Sequence, residues 1–332
     1  MLRRPKQKFP LRWYYVPQGI LLWCAIRLFR ILGLTRASHV SARCAEIVGP
    51  HLATTKIVLC NLRQIFPAMS EKKRHDVMRH MWRNIGRIAA EYPFLKDMRL
   101  YDHTGPYPNI ATIRHVERLE SFLQRDKPVI CVSAHFGNWE IAALVVRQLG
   151  YPITVAYRPP NNPFADRMIG PMRDCVATHF AAKNDSDSLK KILSALQRRE
   201  AVGFVTDQKF HEGTHVRFMG YRSACADTPA RLAVRFHTAI VPIHVCREQE
   251  SSSFTITIEE PIFPSPKRDN NRNITKMTQQ YFNLFETWIR AHPDQWLWTH
   301  NRWNFPQRLK RAADYAKAQQ ARAQGQAAKA LN

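Results

Sequence analysis

The strongest candidate for acid–base chemistry is His135, which is followed five positions later by Glu140. An imidazole exchanges protons near neutral pH, and an ionised carboxylate can hold its second nitrogen, as the acid of a catalytic triad does. The apolar run at 129–134 is typical of a buried strand, and the apolar spacing after Glu140 is typical of a helix. Ligands bind at this edge of open α/β sheets. We therefore predict that His135 is a general base and Glu140 its partner.

The spacing alone carries little information. Fourteen histidines and 26 acidic residues among 332 positions give about one such pair by chance, and His115 with Glu120 is a second copy. That copy lies in a charged helical pattern without a preceding strand, which indicates a surface position. In the first copy, Gly137 permits a sharp turn and Asn138 can cap the following helix. A capping or structural role remains the alternative to catalysis.

Other reaction chemistries have weaker support. His211 and His215 have a metal-ligand spacing but lie in a Gly-containing loop, so we expect no metal site. Cys131 and Ser133 lie within the predicted strand, too close to His135 for an in-line nucleophile. We therefore expect no covalent intermediate and no cofactor. The seven cysteines are scattered without a C-x-x-C pair, which favours a reducing compartment over a disulfide framework.

The chain is strongly basic. Fifty Lys and Arg residues against 26 Asp and Glu residues give a net charge of +24. Such a surplus favours polyanionic partners: nucleic acid, an anionic membrane, phosphorylated lipids or acidic carrier proteins. Nucleic-acid binding would need basic residues clustered with exposed aromatics on a recognisable module, whereas here they are spread along the chain. We therefore expect no nucleic-acid partner.

Residues 1–35 combine a basic start with an aromatic and aliphatic segment. The uninterrupted apolar run, 19–26, is shorter than the roughly 20 residues that a span needs, and Arg27 and Arg30 follow it. We predict a membrane-anchoring helix, either lying in the interface or spanning with its arginines directed towards the headgroups. A buried helix of a soluble domain is the alternative.

The remaining periodicity predicts the fold class. Helical patterns dominate 38–95, and helices also alternate with strand-like runs further along. This alternation predicts an α/β fold with a mixed, mainly parallel sheet flanked by helices, whose last two strands form a hairpin at a mixed edge. We place one domain at 36–306 and a polar Ala/Gln/Lys-rich tail at 307–332. The predicted strands are 129–134, 153–157, 201–206, 239–246 and 254–258.

Several further motifs follow in order: Trp82-x-Asn84-x-Gly86-Arg87, His135-Phe-Gly-Asn-Trp-Glu140, Tyr157-Arg158-Pro-Pro-x-Asn162-Pro163, Asp207-Gln208, Phe218-Met219-Gly220 and Gln295-Trp296-x-Trp298-x-His300-x-Arg302-Trp303. In this order and spacing the chain resembles the bacterial lipid A late (secondary) acyltransferases of the lysophospholipid acyltransferase superfamily. The resemblance extends from the N-terminal segment to about residue 306. It departs from the family pattern at Met219, where a second Phe is usual.

The resemblance implies a glycerolipid acyltransferase-like fold over 36–306. It implies transfer of a fatty acyl chain from acyl carrier protein to a hydroxyl of a phosphorylated lipid A precursor, in lipopolysaccharide biosynthesis. His135 would be the base with Glu140. Arg158 and Asn162 would hold the anionic acceptor or the developing oxyanion, and Asp207 would be a further substrate contact at the edge of the site. The expected location is the cytoplasmic face of the bacterial inner membrane, in contact with its lipids.

A lysophosphatidic acid or other phospholipid acyltransferase of the same superfamily is the alternative. Those enzymes carry a Phe-Pro-Glu-Gly-Thr-Arg phosphate site, which residues 210–215 resemble. The Pro and the Arg of that site are replaced here, and the neighbouring motifs fit the lipid A frame better. A basic nucleic-acid-binding protein is a remote alternative.

Overall fold

The computed structural model describes residues 12–101, 106–107, 110–182, 185–210, 213–266, 269–305 and 307. Most of the basic N-terminal run and of the polar tail lie outside the described residues. His211 of the metal alternative and Glu212 of the alternative phosphate motif also lie outside them.

A seven-stranded sheet forms the centre of the described fold. Its strands are β1 (Ala111–Arg114), β2 (Val129–Ser133), β3 (Ile153–Tyr157), β4 (His179–Ala182), β5 (Ala201–Val205), β8 (Ile240–Arg247) and β9 (Phe254–Ile258). The spatial order is β1-β9-β8-β2-β5-β3-β4. In the described sheet the β8–β9 pair is antiparallel and the other neighbouring pairs are parallel. The predicted mixed, mainly parallel sheet is therefore confirmed.

The five predicted strands are all present, but the sheet is larger than predicted. The four-residue strands β1 and β4 extend its two sides, and both are too short to give a clear sequence period. Because β1 pairs with β9, the β8–β9 hairpin lies inside the sheet and not at its edge, which corrects that prediction. A separate antiparallel hairpin, β6 (Thr214–Phe218) and β7 (Tyr221–Cys225), packs beside the sheet.

Helices cover both faces of the sheet. They are α1 (Tyr15–Val48), α2 (Thr55–Ile65), α3 (Glu71–Glu91), α4 (Val116–Leu123), α5 (Glu140–Gln148), α6 (Pro163–Arg173), α7 (Ser188–Gln197), α8 (Thr228–Arg235) and α9 (Asn270–Ala291). Ser70 caps α3 as its residue type predicts, accepting a hydrogen bond from Lys73 N at 3.3 Å. The N-cap of α8 is Asp227.

The core residues divide between the two faces of the sheet. On β2, Val129 and Cys131 belong to one apolar cluster, while Ile130 and Val132 belong to the other. Alternate side chains of a strand point to opposite faces, so both faces of β2 are buried. A strand buried on both faces is therefore mostly apolar, and the one polar residue of β2, Ser133, donates a hydrogen bond to Ile243 O.

The helix α1 bends at Gly33, whose φ of 75° lies outside the helical region. Beyond the bend, α1 packs closely on α3, and Ser41 Oγ donates to Gly86 O at 2.7 Å. A Cβ at Gly86 would lie 2.4 Å from Ser41 O, so only glycine allows this approach. The second half of α1 is thus fixed to the domain.

The first half of α1 lies against α6 and leaves large apolar side chains exposed. A Cβ at Gly19 would lie 2.9 Å from the Phe164 side chain, which indicates close contact there. The exposed apolar residues of this half include Ile20, Leu21, Trp23, Leu28 and Ile31. No helix within the described ranges has the length and apolar character needed to cross a membrane.

Candidate active site

The turn after β2 carries the predicted base. Gly137 has a φ of +54°, and a Cβ there would lie 2.1 Å from Val245 O, so the turn requires glycine. The helix α5 begins at Glu140, whose backbone N–H donates to Asn138 Oδ1 at 3.2 Å. The N-cap of α5 is Trp139 and not Asn138 as predicted, but Asn138 accepts this hydrogen bond from one position before the cap. The turn fixes His135 at the carboxyl end of β2.

The C-terminal segment holds the backbone of this turn. Gly137 N donates to Gln295 O at 3.1 Å, and Leu297 N donates to His135 O at 3.1 Å. Phe136 and Trp296 consequently form an antiparallel bridge. The Trp-rich segment near residue 296 is thus part of the site.

A buried ion pair and its hydrogen bonds stabilise the turn that follows β2. Arg247 Nη2 donates to Glu91 Oε2 at 2.9 Å, and both side chains are almost fully buried. Asn138 Nδ2 donates to the same oxygen at 2.8 Å. Asn84 Nδ2 donates to Gly137 O at 3.1 Å and its oxygen accepts from Arg247. The buried charges are therefore paired and hydrogen-bonded, as burial requires.

His135 is held in one tautomer by Asp207. Its Nδ1 lies 2.7 Å from Asp207 Oδ1, and Trp296 Nε1 donates to Asp207 Oδ2 at 2.6 Å. A carboxylate only accepts hydrogen bonds, so Nδ1 carries the proton and Nε2 keeps its lone pair. The amide of Gln208 donates to Nε2 at 3.0 Å. This is the arrangement of a base ready to accept a proton at Nε2.

The Asp207 carboxylate is stabilised in its charged form. Burial alone would raise its pKa, but His135 and the hydrogen bonds from His135 and Trp296 outweigh that effect and hold the pKa below its usual value. Asp207 therefore remains an anion beside the imidazole at neutral pH. An anion in this position stabilises the imidazolium that forms when His135 takes up a proton.

Glu140 lies in a different pairing. Tyr92 Oη donates to Glu140 Oε1 at 2.8 Å, and Arg173 Nε donates to Glu140 Oε2 at 2.9 Å. Burial alone would lower the pKa of Arg173, but Glu140 and Tyr92 outweigh burial and raise the pKa above its usual value. The guanidinium therefore stays charged. Burial and the neighbouring Glu140 raise the pKa of Tyr92, so its hydroxyl remains a donor. The result is a buried pair that ties α5 to α6.

The predicted hydrogen bond between Glu140 and His135 is not formed. Both imidazole nitrogens have other partners, Asp207 and Gln208, and both oxygens of Glu140 are used by other residues. The tight turn at Gly137 and the start of α5 direct Glu140 towards α6. Asp207, predicted as a substrate contact, holds His135 in the manner predicted for Glu140.

A cavity of about 650 Å³ opens beside these groups. Its polar lining includes His135, Glu140, Arg158, Gln208 and His300. Burial and the nearby His135 lower the pKa of His300, which favours its neutral form. Most of the other lining side chains are apolar, among them Ile153, Val155, Ile169, Val176, Ile192, Phe204 and Ile243. The volume falls within the range of small-molecule sites. The cavity therefore places a base beside a space suited to a hydrocarbon chain.

The two substrate contacts predicted after β3 have different surroundings. Arg158 is exposed, lines the cavity and lies 3.5 Å from Asn161 Oδ1. Asn162 is not among the cavity residues and caps α6, accepting from Phe164 N at 2.9 Å. Its Nδ2 donates to Tyr15 O at 3.1 Å. The amide of Asn162 is thus engaged within the fold, whereas the Arg158 guanidinium faces the site.

The structure supplies no activated thiol. Cys131 lines the cavity, but burial raises the pKa of its thiol to about 12, so it stays protonated. In the described ranges no three His, Cys, Asp or Glu side chains are grouped to hold a metal ion. His115, the residue of the second His–Glu copy, is exposed as predicted.

Sequence reasoning assigned no role to Trp296, Gln208, Arg173 or Tyr92. Trp296 and Gln208 lie in motifs that were noted, but a motif does not show which atoms meet. Arg173 lies at the end of α6, and Tyr92 lies just after α3. Neither residue belongs to a sequence motif that would indicate a role in the site. Contacts across the fold bring Trp296, Arg173 and Tyr92 to the two buried carboxylates, and Gln208 to the imidazole of His135.

A histidine at the carboxyl edge of a mainly parallel sheet, beside a largely apolar cavity, is an arrangement that suits the activation of a hydroxyl beside a lipid chain. The family model for bacterial lipid A biosynthesis acyltransferases matches residues 5–304. The chain belongs to this family, and it is an acyltransferase. The sequence-based recognition of the family is thereby confirmed.

Two relatives illustrate the similarity. A lipid A biosynthesis acyltransferase of Haemophilus influenzae is 22% identical over 255 residues, which cover 73% of this chain and 75% of the relative. The lipid A biosynthesis palmitoleoyltransferase of Escherichia coli is 23% identical over 254 residues, covering 73% of this chain and 76% of the relative.

Proposed function

We propose that this protein transfers a fatty acyl chain from the thioester of acyl carrier protein to a hydroxyl of a phosphorylated lipid A precursor. The observation that carries the proposal is His135, whose Nδ1 is bound to Asp207 while its Nε2 adjoins a largely apolar cavity of about 650 Å³. The names of the family and of the relatives support lipid A as the class of acceptor.

The chemistry follows from the atoms of His135. Its Nε2 takes the proton of the acceptor hydroxyl as the oxygen attacks the thioester carbon. The C–S bond then breaks, and the imidazolium gives this proton to the leaving thiolate. Asp207 stabilises the imidazolium between these steps. No covalent acyl-enzyme is needed.

Glu140 belongs to this machinery as a positioning residue. It neutralises Arg173 inside the cavity wall and holds the start of α5, directly after the turn that carries His135. Loss of Glu140 would leave a buried guanidinium without its anion beside the reacting groups. We therefore expect its removal to reduce activity through Arg173 rather than through the imidazole.

Arg158 is suited to hold an anionic group of the acceptor. Its exposed guanidinium lines the cavity and makes one long hydrogen bond, to Asn161. A planar guanidinium can bind a phosphate through two hydrogen bonds. We expect Arg158→Ala to raise KM for the phosphorylated acceptor by about tenfold or more, the loss of one charge-assisted contact. The KM for the acyl donor should change much less.

The net charge and the first half of α1 support binding of the protein to the cytoplasmic face of the inner membrane. A net charge of +24 favours both an acidic carrier protein and an anionic leaflet. Arg30 is paired with Asp97 of the domain, so this half of α1 lies along the domain. We infer that its exposed apolar residues enter the membrane interface.

The reaction is tested with purified protein, lauroyl- or myristoyl-acyl carrier protein and a tetra-acylated lipid A precursor. Mass spectrometry should detect a product heavier by one acyl chain. His135→Ala should lower the rate by about 10²–10⁴-fold, the range that general base catalysis supplies. Rates within twofold of wild type for His135→Ala or Glu140→Ala would contradict the mechanism.

Two controls separate the other possibilities. Lysophosphatidic acid offered in place of the lipid A precursor tests the phospholipid alternative, and preferential use of it would overturn the proposed acceptor. For the membrane, Leu21→Glu with Ile31→Glu should reduce sedimentation with anionic vesicles, because both side chains are exposed. Unchanged sedimentation would contradict the interfacial role of α1.

A further inference from the structure

Gln208 touches the reactive nitrogen of the proposed base. Its Nε2 lies 3.0 Å from His135 Nε2, and its side chain lines the cavity. Its backbone is fixed, because Arg302 Nη1 donates to Asp207 O at 2.7 Å and also to Gln208 O, and Arg302 is itself buried. A rigid backbone therefore presents a neutral amide donor beside the base.

The acceptor hydroxyl must displace this amide. To give its proton to His135 Nε2, the hydroxyl has to take the position in which Gln208 donates its hydrogen bond in the free enzyme. The amide then needs a new acceptor within about the length of one hydrogen bond. In the proposed reaction such an acceptor forms close by, because negative charge develops on the thioester carbonyl oxygen as the hydroxyl attacks.

We propose that Gln208 stabilises this oxyanion. This inference rests on the proposed acyl transfer. The hydroxyl oxygen forms a bond to the thioester carbon, its proton goes to His135, and the electron pair of the C=O bond moves to the oxygen, which accepts from the Gln208 amide. When the electron pair on the oxygen re-forms the C=O bond, the C–S bond breaks. The leaving thiolate then takes the proton from His135.

The backbone of the turn supports this assignment. Oxyanion holes commonly use backbone N–H groups near the reacting residues. Here Phe136 N donates to Ala134 O, Gly137 N to Gln295 O, and Glu140 N to Asn138 Oδ1. These three N–H groups already have acceptors within the protein.

The charged alternatives are less suited to the role. Arg173, which also lines the cavity, is paired with Glu140. Arg158 is exposed, where water weakens its effect on a developing charge. Gln208 gives up its present hydrogen bond at the moment when the nucleophile arrives, so its donor becomes free in the step that needs it.

The test compares Gln208→Ala and Gln208→Glu with Gln279→Ala. The Glu variant keeps the size of the side chain but lacks its N–H donors, and Gln279 lies on α9 outside the cavity. We expect kcat to fall by about 10²–10³-fold in both Gln208 variants, with KM changed less than about threefold. Gln279→Ala should retain wild-type rates.

A second readout separates an oxyanion contact from support of the imidazole. The probe is a long-chain alkyl trifluoromethyl ketone, whose hydrate resembles the tetrahedral intermediate, with the matching fatty alcohol as reference. Gln208→Ala should weaken binding of the ketone by about the same factor as kcat, and binding of the alcohol by less than about threefold. Should the Ala variant not fold, the Glu variant is measured instead.

The outcomes are distinct. A wild-type enzyme without acyl transfer would overturn the proposed function. An active wild type with Gln208 variants within threefold of its kcat would overturn only the role of Gln208. Equal binding of the ketone by wild type and variant would likewise exclude the oxyanion contact, even with a reduced kcat.

Discussion

The two buried carboxylates of the candidate site, Asp207 and Glu140, have different partners. Asp207 is bound to the imidazole of His135 and to the indole N–H of Trp296. Glu140 is bound to Arg173, whose charge is permanent, and to the hydroxyl of Tyr92. Each carboxylate thus has one basic partner and one aromatic donor.

The difference shows that the neighbour decides what a carboxylate does. Beside a titratable imidazole, an anion changes the affinity of that group for a proton. Beside a guanidinium, it neutralises a charge that would otherwise be buried alone. Asp207 is therefore placed to act on proton transfer, and Glu140 on the geometry of the cavity wall.

The largest difference is expected in the rate. Asp207→Asn keeps the shape but removes the anion that stabilises imidazolium, so kcat should fall by about 10²–10⁴-fold. In Glu140→Gln the rate should fall less, because the imidazole keeps its anionic partner. Steady-state kinetics measures both variants, and an equal loss of kcat in the two would remove the distinction.

The second difference is expected in stability. Glu140→Ala leaves Arg173 buried without its anion, and we expect a loss of about 3–5 kcal/mol in the free energy of unfolding. Adding Arg173→Met removes the unpaired charge and should recover part of the loss. Denaturant unfolding of the two single variants and the double variant measures the coupling. Strictly additive losses would show that the pair is not coupled.

The third difference is expected in the pH dependence of stability. The pKa of Asp207 is lower in the folded protein than its ordinary value. Its contribution is therefore complete above the unfolded pKa, about 4, and is lost as the pH falls through the folded pKa. Between pH 6 and pH 3 the wild type should lose more stability than Asp207→Asn. Parallel curves from chemical denaturation would contradict the assignment.

The smallest effect concerns the helix that carries Arg173. Asn162 caps α6, so Asn162→Ala should cost about 1 kcal/mol of unfolding free energy. Asn162→Asp keeps an acceptor for the helix N–H groups and should restore most of the cap. Thermal unfolding compares the two variants. A large rise in substrate KM without loss of stability would instead favour the substrate contact predicted from the sequence.

The local patterns of the sequence were sufficient for much of the fold. Short, mostly apolar runs predicted β2, β3 and β5, because strands buried on both faces contain few polar residues. The four-residue strands β1 and β4 were missed, since so short a segment shows no period. The place of the β8–β9 hairpin inside the sheet was also missed, because the pairing of β1 with β9 joins residues about 140 positions apart.

The site was predicted in position but not in its pairing. The strand, Gly137 and the helix after Asn138 are local features, and they predicted where His135 would lie. The choice between Glu140 and Asp207 as its partner depends on a contact that spans 72 positions. The decoy pair at His115 shows that spacing along the chain does not encode this choice.

The sequence by itself thus determined the net charge and the family, and it predicted the sheet edge at which His135 lies. The tertiary structure alone decided which acid faces the imidazole, that Glu140 faces Arg173, and that the amide of Gln208 adjoins Nε2. The physical reason is that hydrogen bonds act over about 3 Å. Only the folded chain sets such distances between residues that are remote in sequence.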